Sequence, residues 1–241
     1  MEQEVFNTAR RITIASPTWK RDLESIGARN VEVIYWGYDD DDFKTLSFNP
    51  SKKFVIFHAG IFGKDRFSQA LFESIGELKR ERPDFAGDLE IQLFGMIDQS
   101  ITTALNNNGL NKDARVTGVI PRSTVLQKMA DAFLLLLPLN VSSNVDGRLP
   151  GKLFEYLRAP GWILGLGPAS SDVSRILADT HAGKMADIED KVKIKAYVIE
   201  FYELYKINKY RNPDTPEVRF YSVENQTRRL ASYLDEITEL S

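Results

Sequence analysis

Short, continuously apolar runs alternate along this chain with longer segments whose apolar residues recur every three to four positions. Residues 11–16 (Arg-Ile-Thr-Ile-Ala-Ser) predict a strand, residues 18–26 a helix and residues 31–34 a second strand. Periodicity is lost over residues 39–52, where Asp, Ser, Asn and Pro accumulate, so this stretch reads as a linker. A second series opens at residues 54–59 (Phe-Val-Ile-Phe-His-Ala), a strand expected to stop at Gly60. Phe67, Ala70, Leu71, Ser74, Ile75 and Leu78 follow at helical spacing. Further strands are predicted at 89–94, 114–117, 132–137 and 162–165, with helices at 97–108, 121–129, 152–157 and 172–179. Two longer helices, 188–208 and 223–240, close the chain around the Pro-containing break at 211–216.

Strands apolar on both faces and separated by helices predict right-handed βαβ units, hence an α/β fold with a Rossmann-like, doubly wound parallel sheet. Such sheets bind ligands outside the carboxyl ends of their strands, at the switch point. Functional residues are therefore expected in the loops after Ala59, Phe94, Thr117, Leu137 and Gly165.

Composition narrows the classes. The 241 residues carry 31 Lys+Arg against 34 Asp+Glu, a formal charge of −3, which argues against binding nucleic acid by bulk charge. A hydrophobic share of 43 % suits a globular core rather than a disordered chain. No run reaches the ~18 apolar residues of a membrane span, and the acidic start carries no secretory signal. A soluble, cytoplasmic protein is expected, with room for peripheral membrane association. The absence of cysteine excludes thiolate sites and cysteine nucleophiles, and two histidines cannot form a multi-histidine metal site. No metal site is expected. Asp39 to Asp42 read as a solvated acidic loop, His58 as a packed residue and His181 as an exposed turn residue. Tyr197, Phe201, Tyr202 and Tyr205 recur at helical spacing and read as packing, whereas Trp36 stands apart as an aromatic platform.

Two loops carry candidate chemistry. Gly60-Ile-Phe-Gly-Lys-Asp-Arg66 lies between a buried strand and a helix, where glycines permit close backbone approach and helix amides attract anions. Lys64 and Arg66 add the positive charge that a diphosphate needs, although the same residues suit an ordinary strand–helix turn. The second loop, Asp146-Gly-Arg-Leu-Pro-Gly-Lys-Leu-Phe-Glu-Tyr-Leu157, follows the most apolar strand. Pro150-Gly151 turns abruptly into a helix, with Arg148 before its start, Lys152 in its first turn and Glu155 three residues on, on the same face. A cation at a helix start opposes the dipole unless an anion binds there, and a carboxylate one turn later suits two ribose hydroxyls. A plain surface Lys–Glu pair is the competing reading.

The run from Pro150 to Leu157, continuing through Pro160, Gly161 and Trp162 to Pro168, resembles the donor-binding segment of GT-B-fold glycosyltransferases of family four. Members read Pro-x-Lys-x-x-Glu-Tyr-Leu-Ala-x-Gly-x-Pro-Ile-Leu there. Val116-Thr-Gly-Val-Ile-Pro121 resembles the loop that meets the nucleotide base, and Met129-Ala-Asp131 before Pro138 resembles the family's "Ala-Asp…Leu-Leu-Pro" stretch. Residues 33–43 resemble the step that leaves the N-terminal domain. The resemblance implies that Glu155 binds the donor ribose, that Lys152 and Arg148 face the diphosphate, and that the Gly60 loop adds Lys64 or Arg66. Backbone near Val119 and Ile120 would read the base. The family's first motif glutamate falls on Gly147 here; Asp146, one residue away, is the candidate substitute.

The resemblance further implies a donor, a nucleoside diphosphate sugar, with no separate cofactor, and a saccharide or lipid-linked acceptor. On this pattern residues 1–38 are a remnant of the acceptor domain, 39–52 a linker and 53–210 the donor-binding domain. Residues 211–241 then cross back toward the N-terminal half. Leu230, Leu234 and Ile237 of the closing helix are expected to lack part of their partner, and the chain reads as a fragment inactive alone, with retaining, metal-independent transfer in the complete enzyme. A non-hydrolysing nucleotide-sugar epimerase and a non-catalytic binding or scaffolding module remain as alternatives.

Overall fold

The computed structural model describes residues 2–239. Met1, Ser241 and Leu240, the expected end of the closing helix, lie outside the described residues. The chain opens with α1 (Glu2–Thr8), β1 (Ile12–Ile14), α2 (Pro17–Ser25) and β2 (Val31–Val33). β1 and β2 pair in parallel, Ile12 opposite Val31. Ser16 caps α2 by accepting from the Trp19 amide, and Pro17, lacking an N–H, suits the first helical turn.

After the 39–52 segment come β3 (Phe54–Phe62), α3 (Gln69–Glu81), α4 (Pro83–Asp88), β4 (Leu89–Ile97), α5 (Gln99–Asn107), β5 (Ala114–Thr117) and α6 (Arg122–Asp131). The series continues with β6 (Leu134–Pro138), α7 (Gly151–Arg158), β7 (Trp162–Leu166), α8 (Asp172–Asp179), β8 (Gly183–Ala186) and α9 (Lys191–Lys206). α10 (Pro216–Arg219) and α11 (Val223–Glu239) end the described chain. All six strands from β3 to β8 are parallel, in the order β5-β4-β3-β6-β7-β8. Counted from β3 this is the doubly wound order 3-2-1-4-5-6, whose switch point lies between β3 and β6.

Alternate residues of each central strand feed opposite faces. Phe54 and Ile56 of β3, with Leu134 and Leu136 of β6, pack against α3, α5 and α9. Val55, Phe57, Leu135 and Leu137 pack against α6, α7 and α8. That double burial is why these strands read as unbroken apolar runs.

The expected end of β3 at Gly60 is corrected: β3 and β4 stay paired to Phe62 and Ile97. Gly60 and Gly95 face each other with φ of +113° and +108°, and a Cβ on Gly95 would lie 2.4 Å from the Gly60 carbonyl. Two glycines in register let the ladder continue where L side chains are disfavoured. As a result no α-helix starts beside Gly60; Lys64–Arg66 form one 3-10 turn, and α3 begins at Gln69 under a Ser68 cap. β8 had no strand signal, because Gly183-Lys-Met-Ala186 has no β-branched residue; it is held as an edge by β7.

The acidic stretch 39–42 is more tied down than a solvated loop. Asp40 takes Arg158 at 2.7 Å and Asp42 takes Arg122 at 2.5 Å. The following residues lie on α6: the Ser47 amide donates to Gln127, and that of Asn49 to Asp131. At the end of the chain, α11 runs back over the first strands. Glu236 pairs with Arg11, Gln226 accepts from the Tyr35 amide, and Tyr38 bridges Ser222. Leu230 and Leu234 are exposed on this helix. Among the described residues no helix is long and apolar enough to cross a membrane.

Arg211 closes the core behind α7. Only 8 % exposed, it donates to the carbonyls of Tyr156, Leu157, Ala159 and Gly161, which covers the open C-terminal end of that helix. Burial lowers its pKa to about 9, since no carboxylate is bonded to it. Arg211→Met should reduce the free energy of unfolding by about 3 kcal/mol by stranding these carbonyls, as read by chemical denaturation. A change below 0.5 kcal/mol would show that the cap contributes little.

Candidate functional site

The switch point brings together the ends of β3, β4 and β6 and the start of α7. Two concavities lie near each other there. The larger, 480 Å³, is lined by Arg66, residues 137–140 and residues 148–152, and by Trp19 and Trp36 of the N-terminal segment. The smaller, 310 Å³, is lined by Gly60, Gly95, Val119, Ile120, Arg122 and Glu155. Gly60 of the smaller cavity lies against Lys152 of the larger, and a Cβ at Gly60 would be 3.0 Å from Lys152 Nζ. Glycine at 60 thus leaves the strand end open to the lysine.

α7 begins without a side-chain cap at Pro150. The Lys152 ammonium does not lie over the helix start; it reaches across to β3, donating to the Ala59 carbonyl at 2.7 Å, with His58 Nε2 at 3.4 Å. Burial, and secondarily the charge of Arg66, lower the Lys152 pKa to about 8, while Glu155 opposes that shift. Arg66 donates to the Ile61 carbonyl at 2.7 Å, which holds its guanidinium at the rim. The loop after β6 is pinned to the same turn by the Val141 amide, which donates to the Asp65 carbonyl at 2.7 Å.

Glu155, one turn into α7, accepts from Arg122 at 2.7 Å, and Arg122 also holds Asp42. The carboxylate beside the smaller cavity is therefore oriented by a guanidinium at the start of α6 and tied to the 39–52 segment. Arg122 was not singled out from the sequence. Its only signal was its place just after the Val119-Ile120-Pro121 loop.

Of the residues singled out beforehand, Gly60, Val119, Ile120 and Glu155 share one cavity, while Arg66, Arg148 and Lys152 share the other. Two are placed differently. Lys64 is exposed, lines neither cavity and adds its charge beside Asp98. Asp146 also lines neither; it accepts from Ser170 Oγ at 2.9 Å. The reason lies at its neighbour. A Cβ on Gly147 would lie 2.4 Å from the Trp19 indole, so α2 delivers an aromatic ring to the space a side chain at 147 would take. α2 is fixed there because buried Asp172 accepts from both the amide and the hydroxyl of Thr18, at 2.8 and 3.0 Å. Trp36, 69 % exposed, stands at the rim of the same cavity. His58, read as a packed residue, is fully buried but also touches the site lysine.

No protein-family model and no curated protein matches the chain. Solved structures do. A glycosyltransferase from Rickettsia africae is similar at 10 % identity and a TM-score of 0.74, with 100 % of this chain and 67 % of that one covered. The sucrose-phosphate synthase of Thermosynechococcus elongatus is similar at 10 % identity and a TM-score of 0.71, covering 100 % of this chain and 61 % of that one. HepE of Anabaena, solved in complex with UDP, gives 13 % identity and a TM-score of 0.71, over 97 % and 66 %. At such identities the likeness shows the fold, the Rossmann-like α/β arrangement of GT-B glycosyltransferases. The chain spans less than two thirds of the length of two of these three proteins.

The Trp19–Gly147 contact makes a direct prediction. Gly147→Ala should cost about 1–3 kcal/mol of stability by overpacking against the indole, and much less in a Trp19→Ala background. Equal costs in both backgrounds, measured by denaturant unfolding, would show that the two residues are not coupled.

Proposed function

We propose that this chain binds a nucleoside diphosphate sugar and serves as the donor-binding part of a glycosyltransferase that passes the sugar to an acceptor hydroxyl. The observation that carries the reading is that α7 presents Lys152 to one cavity and Glu155, one helical turn along, to a neighbouring one, with Gly60 of the second against Lys152 of the first. In this layout the base lies against Val119 and Ile120, and the ribose hydroxyls donate to Glu155. The diphosphate passes the bare backbone at Gly60 and meets Lys152, Arg66 and Arg148. The sugar enters the larger cavity toward Trp19 and Trp36.

The chemistry this layout supports is electrostatic. Breaking the bond between sugar and diphosphate leaves negative charge on the phosphate oxygens, and fixed cations aimed at that charge lower the barrier. Lys152 and the two arginines supply such cations, so the reading includes transfer without a resident metal, with retention as the family resemblance implies. The acceptor is assigned to the other half of a GT-B pair, and the reading includes that this chain alone is inactive in transfer. The span of the structural neighbours and the exposed Leu230 and Leu234 support that assignment.

One observation favours a second reading, a donor-binding module without transfer. The family's first motif glutamate is Gly147 here, its space is taken by Trp19, and Asp146 is turned to Ser170.

Calorimetric titration with UDP, GDP, ADP and dTDP tests the shared part of both readings. One nucleotide should bind, and Lys152→Ala and Glu155→Ala should each weaken it roughly 10- to 150-fold through loss of a charge-assisted contact. Affinity should fall as pH rises through about 8, because the free protein then holds Lys152 neutral and binding must protonate it. Binding indifferent to both substitutions would overturn the assignment. Sugar transfer after joining the chain to an acceptor half separates the enzyme from the module.

A further inference from the structure

We infer that His58 is a positioning residue for Lys152: an imidazole whose Nε2 accepts from the buried ammonium, holds it in place and leaves its remaining N–H for an anionic ligand. The consequence for ligand binding rests on the donor-site reading above; the His58–Lys152 relation does not.

The hydrogen-bond inventory carries the inference. His58 has no exposed surface and sits in the middle of β3 against the Phe62 ring, centroids 4.8 Å apart. Its Nδ1 lies 3.0 Å from the Leu136 carbonyl of β6. A carbonyl only accepts, so Nδ1 carries the proton, and in a neutral ring Nε2 is then an acceptor. Nε2 is the atom that faces Lys152 Nζ, at 3.4 Å. The Ile61 carbonyl, which accepts from Arg66, also lies near the ring and, like the Leu136 carbonyl, favours its charged form, but of the two only the Leu136 carbonyl makes a well-formed hydrogen bond to it. Burial first, and the Lys152 charge second, lower the His58 pKa to about 3, so the ring stays neutral throughout the physiological range.

An ammonium has three N–H donors. Ala59 O and His58 Nε2 take two, both on the β3 side, and one remains beside the larger cavity. The charged groups around Lys152 are Arg66 on the turn after β3 and Glu155 on α7, of opposite effect. Arg148 lines the same cavity. A side chain needed only to pack against Phe62 would be apolar, as the other fully buried residues of β3 are. An imidazole at this place instead donates through Nδ1 to the Leu136 carbonyl and accepts through Nε2 from Lys152, and it does so at the sheet's switch point.

The test is the titration of Lys152 in the free protein, followed by 13Cε NMR of labelled lysine in wild type, His58→Phe, His58→Gln and His58→Asn. The midpoint near 8 in wild type should drop by about one pH unit in His58→Phe, a tenfold change in the protonation constant, because the ammonium loses an acceptor while staying buried. His58→Gln, whose amide oxygen reaches the lysine, should restore most of it. His58→Asn keeps the Leu136 contact without reaching the lysine, so it should resemble His58→Phe and carries the test if that variant does not fold. Exposed Lys64 is the internal control and should not move. UDP titrations on the same proteins should show the high-pH loss of affinity starting correspondingly earlier in His58→Phe, with uridine binding unaltered. An unchanged Lys152 midpoint in the folded Phe or Asn variant would overturn the inference. A shifted midpoint with no binding of UDP, GDP, ADP or dTDP by wild type would instead uphold the pair and overturn the donor-site reading.

Discussion

A buried ammonium in the first turn of a helix has to be held by something other than that helix, whose exposed amides repel it. Here the holder is the end of the neighbouring strand. Lys152 crosses from α7 to the Ala59 carbonyl, and the arrangement is possible because Gly60 leaves room beside the ammonium. Several features follow from this one contact. Gly60 and Gly95 must face each other for the ladder to continue past it, and the loop after β6 must be pinned to the turn after β3. The cost of burying the charge appears in the lowered pKa of Lys152. On the proposed reading an anion in the adjoining cavity would raise that pKa again by pairing with the ammonium.

The N-terminal segment is part of this site rather than an appendage to the sheet. Asp172, at the first turn of α8, fixes the start of α2 through Thr18, and α2 then places Trp19 over Gly147. The wall of the larger cavity is therefore built by residues before and after the 39–52 segment together. Arg122 ties that segment to Glu155 through Asp42, so the carboxylate beside the smaller cavity is set by the same packing. Arg211, covering the other end of α7, keeps the helix that carries both Lys152 and Glu155 in place.

The sheet was legible because its central strands are buried on both faces and say so in every residue, as Leu134 to Leu137 do. That one short helix carries both Lys152 and Glu155 was legible from the sequence; that they turn to different cavities, one to Ala59 and the other to Arg122, was not. What the sequence did not disclose depended on contacts across the fold. The Gly60–Gly95 pairing joins two strands and reads locally as two separate turns. β8 lacks β-branched residues and exists because β7 offers an edge. Lys64 looked equivalent to Arg66, yet the 3-10 turn sends one toward Asp98 and the other to the cavity. Arg122, His58 and Trp19 acquire their meaning only from what they touch, and Asp146 loses its expected place for the same reason.

The most direct test of this account is amide NMR of the 15N-labelled chain titrated in turn with UDP, GDP, ADP and dTDP. The account predicts, for one of them, saturable shifts concentrated at Gly60, Gly95, Val119, Gly151 and Lys152, the backbone that lines the two neighbouring cavities. Shifts confined to another concavity, such as the one lined by Phe48, Tyr210 and Arg211, would contradict it, as would a spectrum unchanged by all four at saturation.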